Sequence, residues 1–136
     1  MIGELEIVTS GQGLWEFTEA LEAWVGEAGV NQGLVTLFVQ HTSASLVVQE
    51  NADPSARRDL EAWLSRLVVE GDDLFTHTFE GPDDMPAHIK AALTATSLAI
   101  PVSRGRPMLG TWQGVFLWEH RKRGSVRKVA VHLSSD

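Results

Sequence analysis

Between Gly33 and Thr42, Val35, Leu37 and Val39 alternate with Leu34, Thr36 and Phe38, so a strand here carries apolar side chains on both faces. Both faces of such a strand are therefore expected to be at least partly buried. The rest of the chain supplies partners for it. Leu5, Ile7 and Thr9 alternate with Glu4, Glu6 and Val8, predicting a strand over residues 3–9. Leu46-Val47-Val48 begins another that ends at Glu50-Asn51, and Ser97–Val102 reads as a further one. Arg104–Pro107 reads as a turn, and Met108-Leu109 begins the next strand. From Trp112 to Arg121, Trp112, Phe116, Trp118 and His120 alternate with Gln113, Val115, Leu117, Glu119 and Arg121. Val129, Val131 and Leu133 face inward from a closing strand.

Helical spacing joins Leu14, Phe17, Leu21, Trp24, Val25 and Ala28, with Gly29 placed to stop the helix. Asp53-Pro54 predicts a second start, with Asp as N-cap and Pro at the first helical position, and Leu60, Trp63, Leu64 and Leu67 as its buried stripe. A third, short helix opens at Pro86 and runs through Ile89 and Leu93. About seven strands, three short helices and hairpin-like spacing late in the chain predict an α+β fold. The expected form is a single domain over residues 1–136 with a mostly antiparallel sheet. Five tryptophans and strands apolar on both faces exceed what one chain of 136 residues buries comfortably, so self-association is expected.

Cysteine is absent, which removes disulfides and thiolate metal sites together and leaves His, Asp, Glu and backbone oxygen as metal ligands. The first residues have neither a basic region nor a long apolar run, and no window reaches the roughly 18 apolar residues of a membrane span. A cytoplasmic protein without a membrane partner is expected. Residues 1–100 carry 4 Lys/Arg against 16 Asp/Glu, and residues 101–136 carry 7 against 2. An acidic chain with so short a basic segment does not predict nucleic-acid binding, although a local basic patch for a phosphorylated small molecule fits.

The polar segment His77–His88 concentrates the chemistry. It holds two histidines, three carboxylates, a glycine and two prolines, and no apolar run that a core would use. Such a set suits a divalent metal or a proton-transfer pair. His41, at the end of the strong strand, is either a satisfied core histidine or a third member. Three converging histidines would form an open-sided site for zinc or a similar ion, while Asp83 and Asp84 suit magnesium carried through a substrate phosphate, or helix capping. Glu80 is a general-base candidate or a solvated turn residue. Glu119 and Arg121 read as a half-buried ion pair or as an anion site. His120 is assigned a packing or rim role and His132 a solvated one. The glycines sit in no GxGxxG or Walker context, and no organic cofactor is expected.

Several blocks together resemble one family. They are His41-Thr42-Ser43-Ala44, Glu50, Asp53-Pro54, His77, Glu80-Gly81 with Asp83-Asp84-Met85-Pro86-Ala87-His88, and Ile100-Pro101. Gly105-Arg106, Leu109-Gly110-Thr111-Trp112-Gln113-Gly114 and Glu119-His120-Arg121 complete the set. The chain resembles, from about residue 3 to its end, the YjbQ family, also called the secondary thiamine-phosphate synthases. Ala95 and Phe75 depart from the family's usual glycine and tyrosine. The resemblance implies an α+β sandwich assembling as a homotrimer, with a polar site near subunit interfaces built from His41, His77 and His88. The implied activity joins a hydroxymethylpyrimidine diphosphate to a thiazole phosphate and releases diphosphate. On that reading Asp83, Asp84 and Arg121 would serve the leaving group through a divalent cation or directly. Two other readings stand beside it: a metal-dependent hydrolase of a small phosphorylated substrate, and a non-catalytic trimer that binds a metal or anion.

Overall fold

The computed structural model describes residues 1–136. In chain order the elements are β1 (Ile2–Val8), β2 (Gly13–Glu16), α1 (Thr18–Glu27), β3 (Gln32–Val39), β4 (Ala44–Glu50), α2 (Pro54–Leu67) and α3 (Asp84–Leu93). They end with β5 (Ser97–Ser103), β6 (Arg106–Pro107), β7 (Gln113–Glu119) and β8 (Val126–Ser135). A five-stranded sheet has the order β1-β8-β3-β5-β6, and a three-stranded sheet has the order β2-β7-β4. Every strand pair is antiparallel. The strand over Gly33–Thr42 is the centre of the larger sheet, with Val35 opposite Ile100 on one side and Leu133 on the other.

The two sheets pack face to face. Val35, Leu37, Val39, Ile100, Val102, Val129, Val131 and Leu133 meet Ala44, Leu46, Val115 and Leu117, and Phe17, Leu21 and Val25 from the α1 region close one end. The smaller sheet is buried on both faces, because Leu14, Phe116 and Trp118 pack under Leu64 of α2. Strand β7 is therefore buried from Gly114 through Glu119.

Several sequence expectations change. Leu14 and Trp15 lie in β2, opposite Trp118 and Leu117, and not at the start of a long helix. The helical spacing of the pattern continued across a boundary that pairing to β7 imposes. On α2 only Leu64 is buried, while Trp63 and Leu67 face solvent. Helix α3 starts at Asp84 and buries Asp84, Ala87, Lys90 and Ala91, leaving Leu93 exposed. Arg106–Pro107 forms a short strand in place of a turn. The outer face of the large sheet has no covering layer within the chain, so Leu34 and Phe38 are exposed instead of partly buried. No helix is long and apolar enough to cross a membrane.

Candidate functional site

The His77–His88 segment turns into α3 at Gly81, whose φ of 106° is open to glycine and strained for other residues. This turn exposes the Glu80 carbonyl to Arg121, which follows directly on β7. Arg121 then gathers the segment. Its Nε donates to Asp83 Oδ2 at 3.0 Å, Nη1 to Asp84 Oδ1 at 2.7 Å and Nη2 to Glu80 O at 3.0 Å. The Lys122 backbone N–H adds a bond to Asp83 Oδ2 at 2.9 Å. Asp83 occupies the N-cap position of α3, yet its side chain makes no capping bond. Capping is thus not what the aspartates do; both are ion-paired to the loop after β7.

Arg121 and the first turn of α3 fix Asp84, which is 2% exposed. Its Oδ2 lies 2.7 Å from His77 Nε2 and 3.1 Å from His88 Nε2. His88 stands one turn along the helix from Asp84, the spacing that stacks two side chains on one face. Burial by itself would raise the Asp84 carboxyl, but the His77 hydrogen bond and the charges of His88 and Arg121 outweigh it and hold it below its usual value. Asp83 behaves alike, with burial opposed by the Lys122 and Arg121 bonds. His88 Nδ1 sits 2.9 Å from the Thr42 carbonyl oxygen. Thr42 O can only accept, so His88 Nδ1–H donates to it and Nε2 is left facing Asp84 Oδ2. His77, Asp84 and His88 offer three ligand atoms lying within 4.8 Å of one another, a set that fits one divalent ion.

His41 stands apart from this group. Its Nε2 accepts the Lys128 backbone N–H at 2.8 Å, and burial followed by the nearby Arg127 charge lowers its pKa. His41 and His88 instead border one open groove of about 870 Å³ whose walls include Phe38, Ser43, Thr96 and Arg127. Glu119 and Arg121 do not pair through their side chains. Glu119, fully buried, accepts from Thr9 Oγ1 at 2.7 Å, Arg127 Nε at 2.8 Å and Arg127 Nη2, and only the backbone N–H of Arg121 reaches it, at 3.2 Å. Burial would raise its carboxyl, and the Arg127 and Thr9 bonds bring it below the usual range. Arg127, which also holds Ser43 Oγ at 2.9 Å, has no sequence signal beyond its place in the last strand. His120 is buried and not at a rim, sharing a 2.9 Å hydrogen bond with Ser45 Oγ, and burial together with Lys90 lowers its pKa to about 3. Glu80 projects into solvent, its Oε2 4.0 Å from Arg121 Nη1.

The fold and this site define a class: a two-sheet α+β domain whose histidine–carboxylate group is assembled by a loop, the first turns of a helix and the arginine that follows a buried strand. The family model for the UPF0047 protein YjbQ-like proteins matches residues 3–136, and the chain belongs to that family. A UPF0047 protein of Synechocystis is 53% identical over 132 residues, spanning 97% of this chain and 90% of that protein. The UPF0047 protein YjbQ of Escherichia coli O157:H7 is 47% identical over 79% of this chain and 77% of its own. Among solved structures, an uncharacterized conserved YjbQ/UPF0047 family protein from Clostridium acetobutylicum aligns with a TM-score of 0.88 at 34% identity, covering 97% of this chain and 99% of that one.

Proposed function

We propose that this protein is a transferase of the secondary thiamine-phosphate synthase type. It would join a hydroxymethylpyrimidine diphosphate to a thiazole phosphate and release diphosphate at a divalent-cation site. The observation that carries this reading is the shared Asp84 Oδ2, with His77 Nε2 and His88 Nε2 on it while Arg121 fixes the other carboxylate oxygen. His77, Asp84 and His88 would hold the ion, and zinc or magnesium there would supply positive charge for a departing diphosphate. The chain's own residues position. Thr42 O and Asp84 orient the His88 ring, and Arg121, with its donors committed to Asp83, Asp84 and Glu80, acts as a clamp and not as a free anion receptor. The groove beside His41 and His88 has the size of a small-molecule site.

The protein would work as a homotrimer. The uncovered outer face of the large sheet includes Leu34 and Phe38, and Phe38 also lines the groove, so a second copy packed there would wall the groove in. A second reading, hydrolysis of a small phosphorylated substrate, rests on Glu80, whose exposed carboxylate, 4.0 Å from Arg121 Nη1, would take a proton from water. The His88→Ala variant separates these readings when metal content, thiamine phosphate formation and phosphate release are measured together. Loss of metal with unchanged synthesis refutes the transferase reading. Synthesis absent from the wild type, with release of phosphate that needs Glu80, replaces it by the hydrolase.

A further inference from the structure

Helix α3 buries one further charged residue, on the side away from His88. Two residues after His88, Lys90 points inward and is only 6% exposed. It makes no hydrogen bond that bears on its charge, and its nearest opposing charges, Glu70 and Asp83, act on it only at a distance. Glu70 is itself paired with Lys122 at 2.7 Å, and Asp83 with Arg121. A buried ammonium with three donors and no acceptor is costly unless something outside the chain meets it.

Lys90 borders a half-open pocket of about 310 Å³ between α2, the start of β2 and the end of β7, with Gln12, Arg58, Glu61, Ser65 and His120 on its walls. His120 contributes an unused ring nitrogen. Its Nε2 is engaged with Ser45 Oγ, and Nδ1 has no protein partner. Neither Lys90 Nζ nor His120 Nδ1 is sealed in, because the one enclosed side-chain polar atom lacking a partner is Arg57 Nε. In the tautomer whose Nε2 accepts from the Ser45 hydroxyl, the neutral His120 ring presents Nδ1–H as a donor. The carboxylates on the wall are largely occupied. Glu119 is saturated by Thr9, Arg127 and the Arg121 N–H, and Glu61 Oε1 accepts the Leu14 N–H at 2.9 Å.

We propose that this cavity is an oxyanion site for the phosphate or carboxylate end of a small polar metabolite, anchored by Lys90 Nζ, with His120 Nδ1–H and the exposed Arg58 guanidinium as further donors. A protonated lysine serves as a point-charge ligand for phosphate, and the remaining oxygen of Glu61 offers an acceptor to a hydroxyl or amine of the same molecule. The site lies across α3 from His77, Asp84 and His88 and does not depend on whether a metal binds there.

Titration calorimetry with inorganic phosphate and, separately, acetate tests this on untagged protein, comparing wild type with Lys90→Met, Arg58→Glu and His88→Ala. The expected result is saturable binding of at least one of the two anions. That binding falls at least tenfold in Lys90→Met, falls severalfold in Arg58→Glu, and stays the same in His88→Ala. In wild-type protein the His120 ring resonances move with the anion while those of exposed His132 do not. Response to phosphate alone assigns a phosphate group, and response to acetate as well assigns a carboxylate-tolerant site. Arg58 is on the surface of α2, so its variant carries the test if Lys90→Met does not fold. No binding of either anion to wild type, unchanged affinity in Arg58→Glu, or binding lost in His88→Ala and kept in Lys90→Met overturns the proposal.

Discussion

Replacing Glu119 by Gln removes one charge from a pair almost wholly withdrawn from water. The carboxylate is fully buried, and it neutralises Arg127 through both oxygens while accepting from Thr9 Oγ1 and the Arg121 N–H. Glutamine keeps one acceptor and turns an amide NH₂ toward a guanidinium, so Arg127 stays buried without compensation. Breaking a buried pair from one side costs about 3–5 kcal/mol. At about 3 °C per kcal/mol for a domain of this size, the melting temperature falls by about 10–15 °C. Calorimetric melts together with urea midpoints at constant m-value read this directly. The double variant Glu119→Leu with Arg127→Met, which removes both charges, recovers most of the loss. A Glu119→Gln shift below about 3 °C, or a double variant worse than the single, refutes the claim that charge compensation holds β7 against β8.

Stability also depends on pH in a definite direction. His120 is neutral in the fold with its pKa lowered to about 3, while in the unfolded chain it titrates near 6.5, so its contribution is lost as pH falls below about 6.5, by roughly 1.4 kcal/mol per unit. The lowered His41 adds to the same slope. Asp83, Asp84 and Glu119 are depressed in the fold, and their contributions are present above about pH 4 and vanish below it. Urea unfolding at pH 7, 6 and 5 isolates the histidines, and a His120→Asn variant with an unflattened slope contradicts the assignment. Leu64→Ala empties the contact of α2 with Leu14, Phe116 and Trp118 and is expected to cost about 2–5 kcal/mol in urea unfolding, whereas Trp63→Ala, on the exposed side, costs under about 1 kcal/mol. Light scattering is expected to give a trimer, with Phe38→Glu shifting it toward smaller species; a wild-type monomer contradicts the interface reading.

How much of this was legible in the sequence varied with the cause. Period-two alternation located β3, β7 and β8 and their inward faces, since side-chain alternation and burial coincide there. The start of α1 was misplaced because Leu14 and Phe17 satisfy helical spacing while pairing with β7 decides their structure. The buried face of α3 was misread for a related reason. Ile89 and Leu93 suggested one stripe, but Arg121 draws Asp84 inward and turns Ala87, Lys90 and Ala91 with it. In the site, the polar density of His77–His88 singles out that segment, but the sequence pairs Asp84 with Asp83 and groups His77 and His88 with His41, and only the fold sets Asp84 between His77 and His88. The sequence names Arg121 beside Asp83 and Asp84 only through the resemblance, and its clamp on them spans 37 and 38 positions; nothing in the sequence marks Arg127 as the partner of Glu119, eight residues away, or of Ser43, 84 away. His41 reads in sequence either as a satisfied core histidine or as a third member of the site, and in the fold the Lys128 N–H occupies its Nε2, away from the His77, Asp84 and His88 group.

The central claim is that Asp84, pinned by Arg121, joins His77 and His88 in holding a divalent ion. Metal analysis of untagged wild-type protein beside His88→Ala and Asp84→Asn tests it most directly. A stoichiometric divalent metal is expected in the wild type and is lost from both variants, while His41→Ala retains it. Wild-type protein without metal above background after exposure to zinc and magnesium, or variants that keep the wild-type content, would contradict it.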